Sequence, residues 1–280
     1  MKIIRTVAEM QAQARQWRRE GATLGLVPTM GFLHEGHLSL VDACRREGCS
    51  QVVVSIFVNP TQFGPNEDLD RYPRDFARDE ALCRGREVAA IFYPEVAEMY
   101  APDASTWVTE ETLSRPLCGA SRPGHFRGVT TVVAKLFNAV LPDVAVFGQK
   151  DAQQSLVIRR MARDLHFPVK IVVAPIVREA DGLALSSRNK YLSATERAAA
   201  PAIFRALSEA RRRHAAGERV ADTLVSFVAE SIAAAGGRVD YIEVRSQTTL
   251  EPCSDIAGPA VMAVAAFFGR TRLIDNVLLD

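Results

Sequence analysis

Two histidines lie where a predicted strand turns into a predicted helix. Residues 28–37 read Pro-Thr-Met-Gly-Phe-Leu-His-Glu-Gly-His, so His34 and His37 are three apart and can share one face of the helix start. The N–H groups and positive dipole of a helix N-terminus favour phosphate. Gly36 lets the backbone approach a nucleotide without an intervening side chain. The segment predicts a nucleotide-phosphate site; the alternative is a pair of surface histidines on an ordinary turn.

A second junction of strand, glycine and helix places a cation at a helix start. Residues 147–154 read Phe-Gly-Gln-Lys-Asp-Ala-Gln-Gln, and burying Lys150 is costly unless an anion such as phosphate accompanies it. Asp151 can cap the helix or accept hydrogen bonds from ribose hydroxyls. Gln154 lies one turn beyond Lys150 and can share its face. This segment indicates a second contact with a nucleotide.

Neutral amides follow another predicted strand. In residues 57–63, Phe-Val-Asn-Pro-Thr-Gln-Phe, both Asn59 and Gln62 can donate and accept hydrogen bonds. Such side chains suit a small substrate with hydroxyl and carboxylate groups, although Asn-Pro is also an ordinary turn signal.

Two further polar loops carry arginines. Residues 185–189 hold two hydroxyls and the guanidinium of Arg188, which can clamp a polyphosphate or simply be solvated. Residues 121–128 hold groups that can bind a carboxylate or lie idle at the surface, namely Arg122, His125 and Arg127. The motifs Gly-x-Ser-x-Gly, Gly-x-Gly-x-x-Gly and Gly-x-x-x-x-Gly-Lys-Ser/Thr are missing, which argues against serine hydrolases, dinucleotide binders and Walker-type enzymes.

A metal held by side chains is not indicated. His34 and His37 alone do not close a tetrahedral zinc site, and the five cysteines form no Cys-x-x-Cys pair. We therefore assign no metal ligand and no disulfide framework, and expect a reducing, cytoplasmic location.

The elements that position these residues alternate along the first part of the chain. Apolar runs predict strands at 23–27, 51–58, 88–93, 143–147 and 169–174, and helical patterns lie at 6–20, 37–46, 74–84, 128–141 and 151–165. This alternation indicates an α/β fold with a parallel sheet, whose ligands bind beyond the carboxyl ends of the strands. From about residue 177, helices at 193 onward and 220–235 precede strands at 239–244 and 261–268, which indicates a smaller α+β domain.

The composition excludes further classes of function. Among 280 residues, 34 Lys and Arg face 33 Asp and Glu, so no global basic surface indicates nucleic acid. The apolar runs are shorter than the ~20 residues that span a bilayer, and the start lacks a signal-peptide core. We expect neither a nucleic-acid partner nor a membrane.

Together these segments resemble the pantothenate synthetase (pantoate–β-alanine ligase) family, within the His-x-Gly-His nucleotidyltransferases. The resemblance covers nearly the whole chain, at residues 28–37, 57–63, 72–74, 120–128, 147–154, 181–189 and 272–276.

The resemblance implies a Rossmann-like domain over 1–176, which binds ATP and pantoate, and a smaller C-terminal α+β lid and dimer-associated domain over 177–280. It further implies a homodimer, with ATP as co-substrate and Mg²⁺. In the implied reaction the carboxylate of (R)-pantoate attacks the α-phosphorus of ATP, giving pantoyl adenylate and pyrophosphate. The amine of β-alanine then attacks the acyl carbon, giving pantothenate and AMP.

The resemblance also assigns residues by position. It implies His37 as proton donor, with His34 and Lys150 as further catalytic groups on the phosphates. Gln62 and Gln154 would bind pantoate, and Gln62 also β-alanine. Arg122, His125 and Arg127 have no assigned role, and the β-alanine carboxylate is our hypothesis for them. The implied ATP site comprises Met30, Gly31, Phe32, Leu33, His34, Glu35, Gly36, His37, Gly148, Gln149, Lys150, Asp151, Val177, Leu185, Ser186, Ser187 and Arg188.

Many family members have Glu where this chain has Gln149, which we treat as tolerated variation.

Other hypotheses about the function remain open from the sequence. The rival is another His-x-Gly-His adenylyltransferase whose acceptor is a phosphate, but Gln62 and Gln154 favour a carboxylate-and-hydroxyl substrate. A tRNA-linked synthetase fragment is disfavoured by the near-zero charge. A catalytically dead nucleotide-binding module would release no pyrophosphate on adding pantoate.

Overall fold

The computed structural model describes residues 1–65 and 67–280, and Asn66 lies outside the described residues. The chain divides into two compact units. The first comprises Met1–Gly148 and Gln153–Pro175, and the second comprises Gln149–Ala152 and Ile176–Asp280.

The first unit is built on a six-stranded parallel sheet. Its order is β1-β4-β3-β2-β5-β6, so the chain moves outward from β2 in one direction through β3 and β4, and in the other through β5 and β6. The β2/β5 boundary is therefore the switch point, outside whose carboxyl ends ligands bind in such sheets. The strands are β1 (Lys2–Ile4), β2 (Leu24–Thr29), β3 (Gln51–Ile56), β4 (Ala90–Phe92), β5 (Val144–Gly148) and β6 (Lys170–Ala174).

Helices pack against this sheet through apolar side chains. The helix α2 contacts β2, β3 and β5, while α1 and α6 contact each other and β2. One core cluster includes Val27, Val41, Val54, Ile91 and Val146, all almost fully buried. The helices are α1 (Val7–Arg19), α2 (Glu35–Arg46), α3 (Phe76–Gly85), α4 (Val96–Met99), α5 (Cys118–Ser121), α6 (His125–Val140) and α7 (Ala152–Asp164).

Two details of the first sheet differ from the sequence expectation. We expected β2 to stop at Pro28, but it continues to Thr29 because its last residues pair with β3. Pairing with β5 covers only Gly25 and Leu26, so Pro28 stands where one side of the strand is unpaired and the missing N–H is tolerated. The edge strand β1 is only three residues long and was not predicted.

The second unit is an antiparallel three-stranded sheet with helices. The strands β7 (Arg238–Ser246), β8 (Ala260–Phe268) and β9 (Thr271–Leu279) pair in that order. Its core includes Ile203, Leu207, Leu224 and Met262, all nearly inaccessible to solvent. The strand β9 was not predicted. The helices are α8 (Ala194–Ala199), α9 (Ala202–Ala215) and α10 (Ala221–Ala234).

Within the described residues, no helix is both long and apolar enough to cross a membrane.

Candidate active site

A tight turn links β2 to α2 at the carboxyl edge of the first sheet. Gly31 has a φ of +84° and Phe32 a φ of 50°, both in the left-handed region. A Cβ on Gly31 would lie 2.9 Å from Ile56 Cγ2 and 3.1 Å from Asp79 Oδ2. Only glycine meets both the dihedral and the space requirement here.

The helix α3 clamps this turn through a buried carboxylate. Asp79, 1% exposed, accepts hydrogen bonds from the N–H groups of Phe32 and Leu33, each at 2.7 Å. Burial raises the pKa of the Asp79 carboxyl, against the opposing effect of the two N–H donors. Arg78 donates to the Leu33 carbonyl at 2.8 Å, and its guanidinium lies 5.1 Å from the centre of the Phe32 ring. The backbone before the two histidines is thus fixed from a helix more than forty residues away in sequence.

The two histidines lie together at the start of α2. His34 is the N-cap residue, and its N–H donates to His37 Nδ1 at 3.3 Å. The ring centroids are 4.1 Å apart. Because His37 Nδ1 accepts this bond, we assign the proton of the neutral His37 ring to Nε2, which makes Nε2 a donor. The predicted pairing of the imidazoles at a helix N-terminus is what the structure contains.

Asn59, one of the two amides noted in the sequence, makes its hydrogen bonds within the protein. It is 1% exposed, and its Nδ2 donates to Gln62 Oε1 and to the Gly128 carbonyl, both at 3.1 Å. Its Oδ1 accepts from the hydroxyls of Thr61 and Tyr100, both at 2.9 Å. The amide of Asn59 is therefore used inside the protein, where it orients Gln62.

Gln62 is held on three sides. Its Oε1 accepts from Asn59, and its Nε2 lies 3.2 Å from Met30 Sδ, which places this donor beside the β2–α2 turn. The Gln62 carbonyl accepts from His125 Nδ1 at 2.9 Å and from Arg122 at 3.3 Å. Because Arg122 can only donate to His125 Nε2, we assign the His125 proton to Nδ1.

The two arginines of residues 121–128 have different partners. Arg122 makes a bidentate pair with Glu67, at 2.7 and 2.5 Å. Burial alone would raise the pKa of Glu67, but the hydrogen bonds and charge of Arg122 prevail and hold it below its ordinary value. The Arg127 guanidinium lies 4.7 Å from the centre of the Trp107 ring. A substrate carboxylate at Arg122 would have to compete with Glu67.

In the second unit Lys150 lies in a short 3₁₀ turn. The turn spans Gln149–Asp151 and directly precedes α7, so the helix begins later than the predicted residue 151. Lys150 Nζ is 3.7 Å from Asp151 Oδ2, and the Lys150 side chain is 21% exposed. Asn276 of β9 contacts both Gln149 and Lys150.

The loop before the 3₁₀ turn Ser187–Tyr191 is internally hydrogen-bonded. The Leu185 N–H donates to the Val177 carbonyl at 3.0 Å. Ser186 caps the turn Ser187–Tyr191 by accepting from the Arg188 N–H at 3.2 Å. Asn189 donates to the Ala184 carbonyl at 3.1 Å. The predicted hydroxyls and guanidinium thus lie on an ordered turn.

A sequence model of the family described as Pantoate-beta-alanine ligase matches residues 2–278. The chain is 54% identical over 280 residues to the pantothenate synthetase of Thermotoga petrophila, covering 100% of both chains. It is 53% identical over 281 residues to that of Moorella thermoacetica, covering 100% of this chain and 99% of the relative. The chain belongs to the pantoate–β-alanine ligase family. It is therefore a ligase that joins pantoate to β-alanine.

Solved structures of the ligase family share the fold. The pantothenate synthetase of Thermus thermophilus aligns with a TM-score of 0.93 at 48% identity, over 99% of both chains. The pantoate–β-alanine ligase of Francisella tularensis aligns with a TM-score of 0.84 at 31% identity, over 100% of this chain and 98% of that one. The predicted α/β class with a smaller C-terminal unit is confirmed. The rival, an adenylyltransferase with a phosphate acceptor, finds no support.

The predicted site residues of the ligase divide between the units. Those that the structure brings together in the first unit are Met30, Gly31, Phe32, Leu33, His34, Glu35, Gly36, His37 and Gln62, and Gly148 and Gln154 lie in the same unit. Those in the second unit are Gln149, Lys150, Asp151, Val177, Leu185, Ser186, Ser187 and Arg188.

Sequence reasoning missed the residues that hold these groups. Asp79 and Arg78 looked like the charged face of an ordinary helix, and no local signal separates them from solvated neighbours. Asn276 lay in a segment that the resemblance covered without giving it a role.

Proposed function

We propose that the chain condenses (R)-pantoate with β-alanine in an ATP-dependent reaction through pantoyl adenylate, releasing AMP and pyrophosphate. The observation that carries this proposal is the imidazole pair at the start of α2, held by Asp79 at the switch point of the sheet. The Francisella tularensis relative, solved in complex with a β,γ-ATP compound and β-alanine, supports both co-substrates.

In the proposed first step a pantoate carboxylate oxygen bonds to the α-phosphorus and the bond to pyrophosphate breaks. Adenylyl transfer needs little covalent help from a protein, but it needs stabilisation of the charge that collects on the departing pyrophosphate. We assign that task to the first N–H groups of α2, to His37 Nε2 and to the ammonium of Lys150. His34, whose ring centroid lies 4.1 Å from that of His37, is assigned to the phosphates as well.

In the proposed second step the β-alanine amine bonds to the acyl carbon, the C–O bond breaks, and the oxygen leaves with AMP. Gln62 and Gln154 are proposed to orient pantoate, and Gln62 also to contact β-alanine. The hydrogen bond from Asn59 to Gln62 Oε1 supports a fixed donor at Gln62 Nε2. For the β-alanine carboxylate we keep the hypothesis of Arg122, His125 and Arg127, in which the carboxylate displaces Glu67 from Arg122.

The remaining ATP contacts are proposed on the resemblance. Met30–Gly36 and Gly148–Lys150 would line the nucleotide, Asp151 would bind ribose and the Val177 main chain would bind adenine. Leu185, Ser186, Ser187 and Arg188 would meet the phosphates. We also propose the division into residues 1–176 and 177–280, a homodimer and a cytoplasmic location.

Mg²⁺ is proposed to arrive on ATP rather than in a site of the protein. Across residues 1–65 and 67–280, no group of three or more His, Cys, Asp or Glu side chains could hold a metal ion. Mg²⁺ keeps several waters and commonly binds through substrate phosphates with one or two carboxylates. Within these described residues the side chains form no metal cage, and the bound ion would supply phosphate charge neutralisation.

The test is pyrophosphate release from ATP and Mg²⁺, with pantoate alone and then with β-alanine. We expect a single turnover with pantoate alone, and multiple turnovers with AMP formation once β-alanine is added. No release with pantoate under either condition would overturn the proposal.

A further inference from the structure

The middle of β9 carries two successive buried polar residues. Asp275 is 5% exposed and Asn276 is 4% exposed, in a strand whose other buried positions are mostly apolar. Successive strand residues point to opposite faces of a sheet, so the two side chains serve different partners. Buried polar groups are costly unless they are hydrogen-bonded.

The amide of Asn276 forms hydrogen bonds with the turn that carries Lys150. Its Nδ2 donates to the Gln149 carbonyl at 2.9 Å and to the Lys150 carbonyl at 3.0 Å. Its Oδ1 accepts from Gln149 Nε2 at 2.9 Å. Both amide hydrogens and one acceptor position are therefore used by two consecutive residues. One side chain fixes where the Lys150 backbone lies.

Asp275 anchors Asn276 in turn. It accepts from Arg178 in a bidentate pair at 2.6 and 2.9 Å, and from the Asn276 N–H at 2.8 Å. Arg178 also donates to the Gly182 carbonyl at 3.1 Å, and its guanidinium lies 4.4 Å from the centre of the Phe204 ring. The middle of β9 is thus held by Arg178 through Asp275, while Asn276 contacts the Lys150 turn.

We infer that Asn276 is a positioning residue for Lys150, which places the ammonium group for its task on the phosphates of ATP. This inference rests on the proposed role of Lys150. If only packing were required at position 276, an apolar side chain of similar size would serve. The buried amide therefore indicates that its hydrogen bonds to the Lys150 turn are needed. A displacement of about 1 Å at a charged group can cost roughly 10²-fold in rate.

The test is a double-mutant cycle on pantoate-dependent pyrophosphate release. Asn276→Ala should lower kcat by about 10- to 100-fold in the wild-type background. If Asn276 acts through Lys150, the same change should cost less than about 3-fold in a Lys150→Ala background. Asn276→Asp keeps the size but replaces the donor, so it should lower kcat as well. It carries the test if Asn276→Ala does not fold.

Gln247→Ala is the matched control, because Gln247 Nε2 donates to the Ala260 carbonyl at 3.0 Å in the same unit. It removes a hydrogen bond to the backbone in the same unit and should leave kcat unchanged. Equal costs of Asn276→Ala in both backgrounds, or unchanged kcat, would overturn the inference while leaving the ligase function intact. Wild-type turnover in Lys150→Ala would overturn the inference together with the assigned role of Lys150.

Discussion

Asp79→Asn should disturb the turn before the histidines more than its conservative chemistry implies. The carboxylate accepts two backbone N–H groups, at 2.7 Å each, and is 1% exposed. The side-chain amide of the variant has the same shape but can accept from only one of the two N–H groups. Its NH₂ group would face the other N–H, and two donors cannot bond to each other. Leaving one buried donor without an acceptor costs about 1–3 kcal/mol in the free energy of unfolding.

The substitution also removes a buried carboxylate, whose contribution to the free energy of unfolding depends on pH. Burial raises the pKa of Asp79, so its ionisation disfavours the folded state. The stability linked to Asp79 is fully present below its ordinary pKa of 3.8 and is lost as pH rises through the raised value. The neutral amide lacks this dependence. The cost of Asp79→Asn should therefore be larger at about pH 4 than at about pH 8.

Urea unfolding at both pH values measures the stability, and pyrophosphate release measures the activity. We expect kcat to fall by roughly 10- to 10²-fold, because the turn places His34 and His37. Glu80→Gln is the matched control, since Glu80 pairs with Arg84 on the same helix and does not contact the turn. If both variants lose the same stability and keep wild-type kcat, the clamp does not position the histidines.

Three other outcomes follow from single contacts. Gly31→Ala should destabilise the protein and reduce activity more than Gly48→Ala. Both glycines have a φ near +85°, but of the two only Gly31 has atoms within 4 Å of a new Cβ. Equal urea midpoints of the two variants would contradict this expectation. Lys150→Ala should lower the adenylation rate by roughly 10²–10³-fold without changing the melting temperature, and wild-type turnover would refute the phosphate role. The pKa of Glu67 lies below its ordinary 4.5, so its stabilisation is present above that value and is lost as pH falls through the lower folded value. Arg122→Ala should remove this acid-dependent part of the unfolding free energy, and an unchanged pH profile would show that the pair is not responsible.

The sequence predicted most elements because their signals are local. The N-cap at Thr6 and the capping box at Ser193 both form, and the predicted strands and helices are displaced by only a few residues. The strand β9 escaped because polar residues occupy buried positions, which breaks the alternation that marks a strand. One of these polar residues, Asn276, holds the Lys150 turn, and the other, Asp275, pairs with Arg178.

The pairing of His34 and His37 could be predicted because their spacing and the strand before them lie in one segment. The carboxylate that fixes their turn could not, because Asp79 is distant in sequence and a helical Asp is usually solvated. Asn59 is the converse case, since an amide of a type suited to a substrate donates to Gln62 and to the Gly128 carbonyl. Contacts between distant segments decide which polar residues support the site and which face the ligand.

The central claim is that pantoate is activated as an acyl adenylate. Its most direct test uses pantoate labelled with oxygen-18 in the carboxylate, with ATP, Mg²⁺ and β-alanine, and mass spectrometry of the products. We expect AMP to carry one labelled oxygen, because the attacking oxygen stays on phosphorus when the acyl C–O bond breaks. Unlabelled AMP, or label in inorganic phosphate with ADP as the nucleotide product, would contradict it.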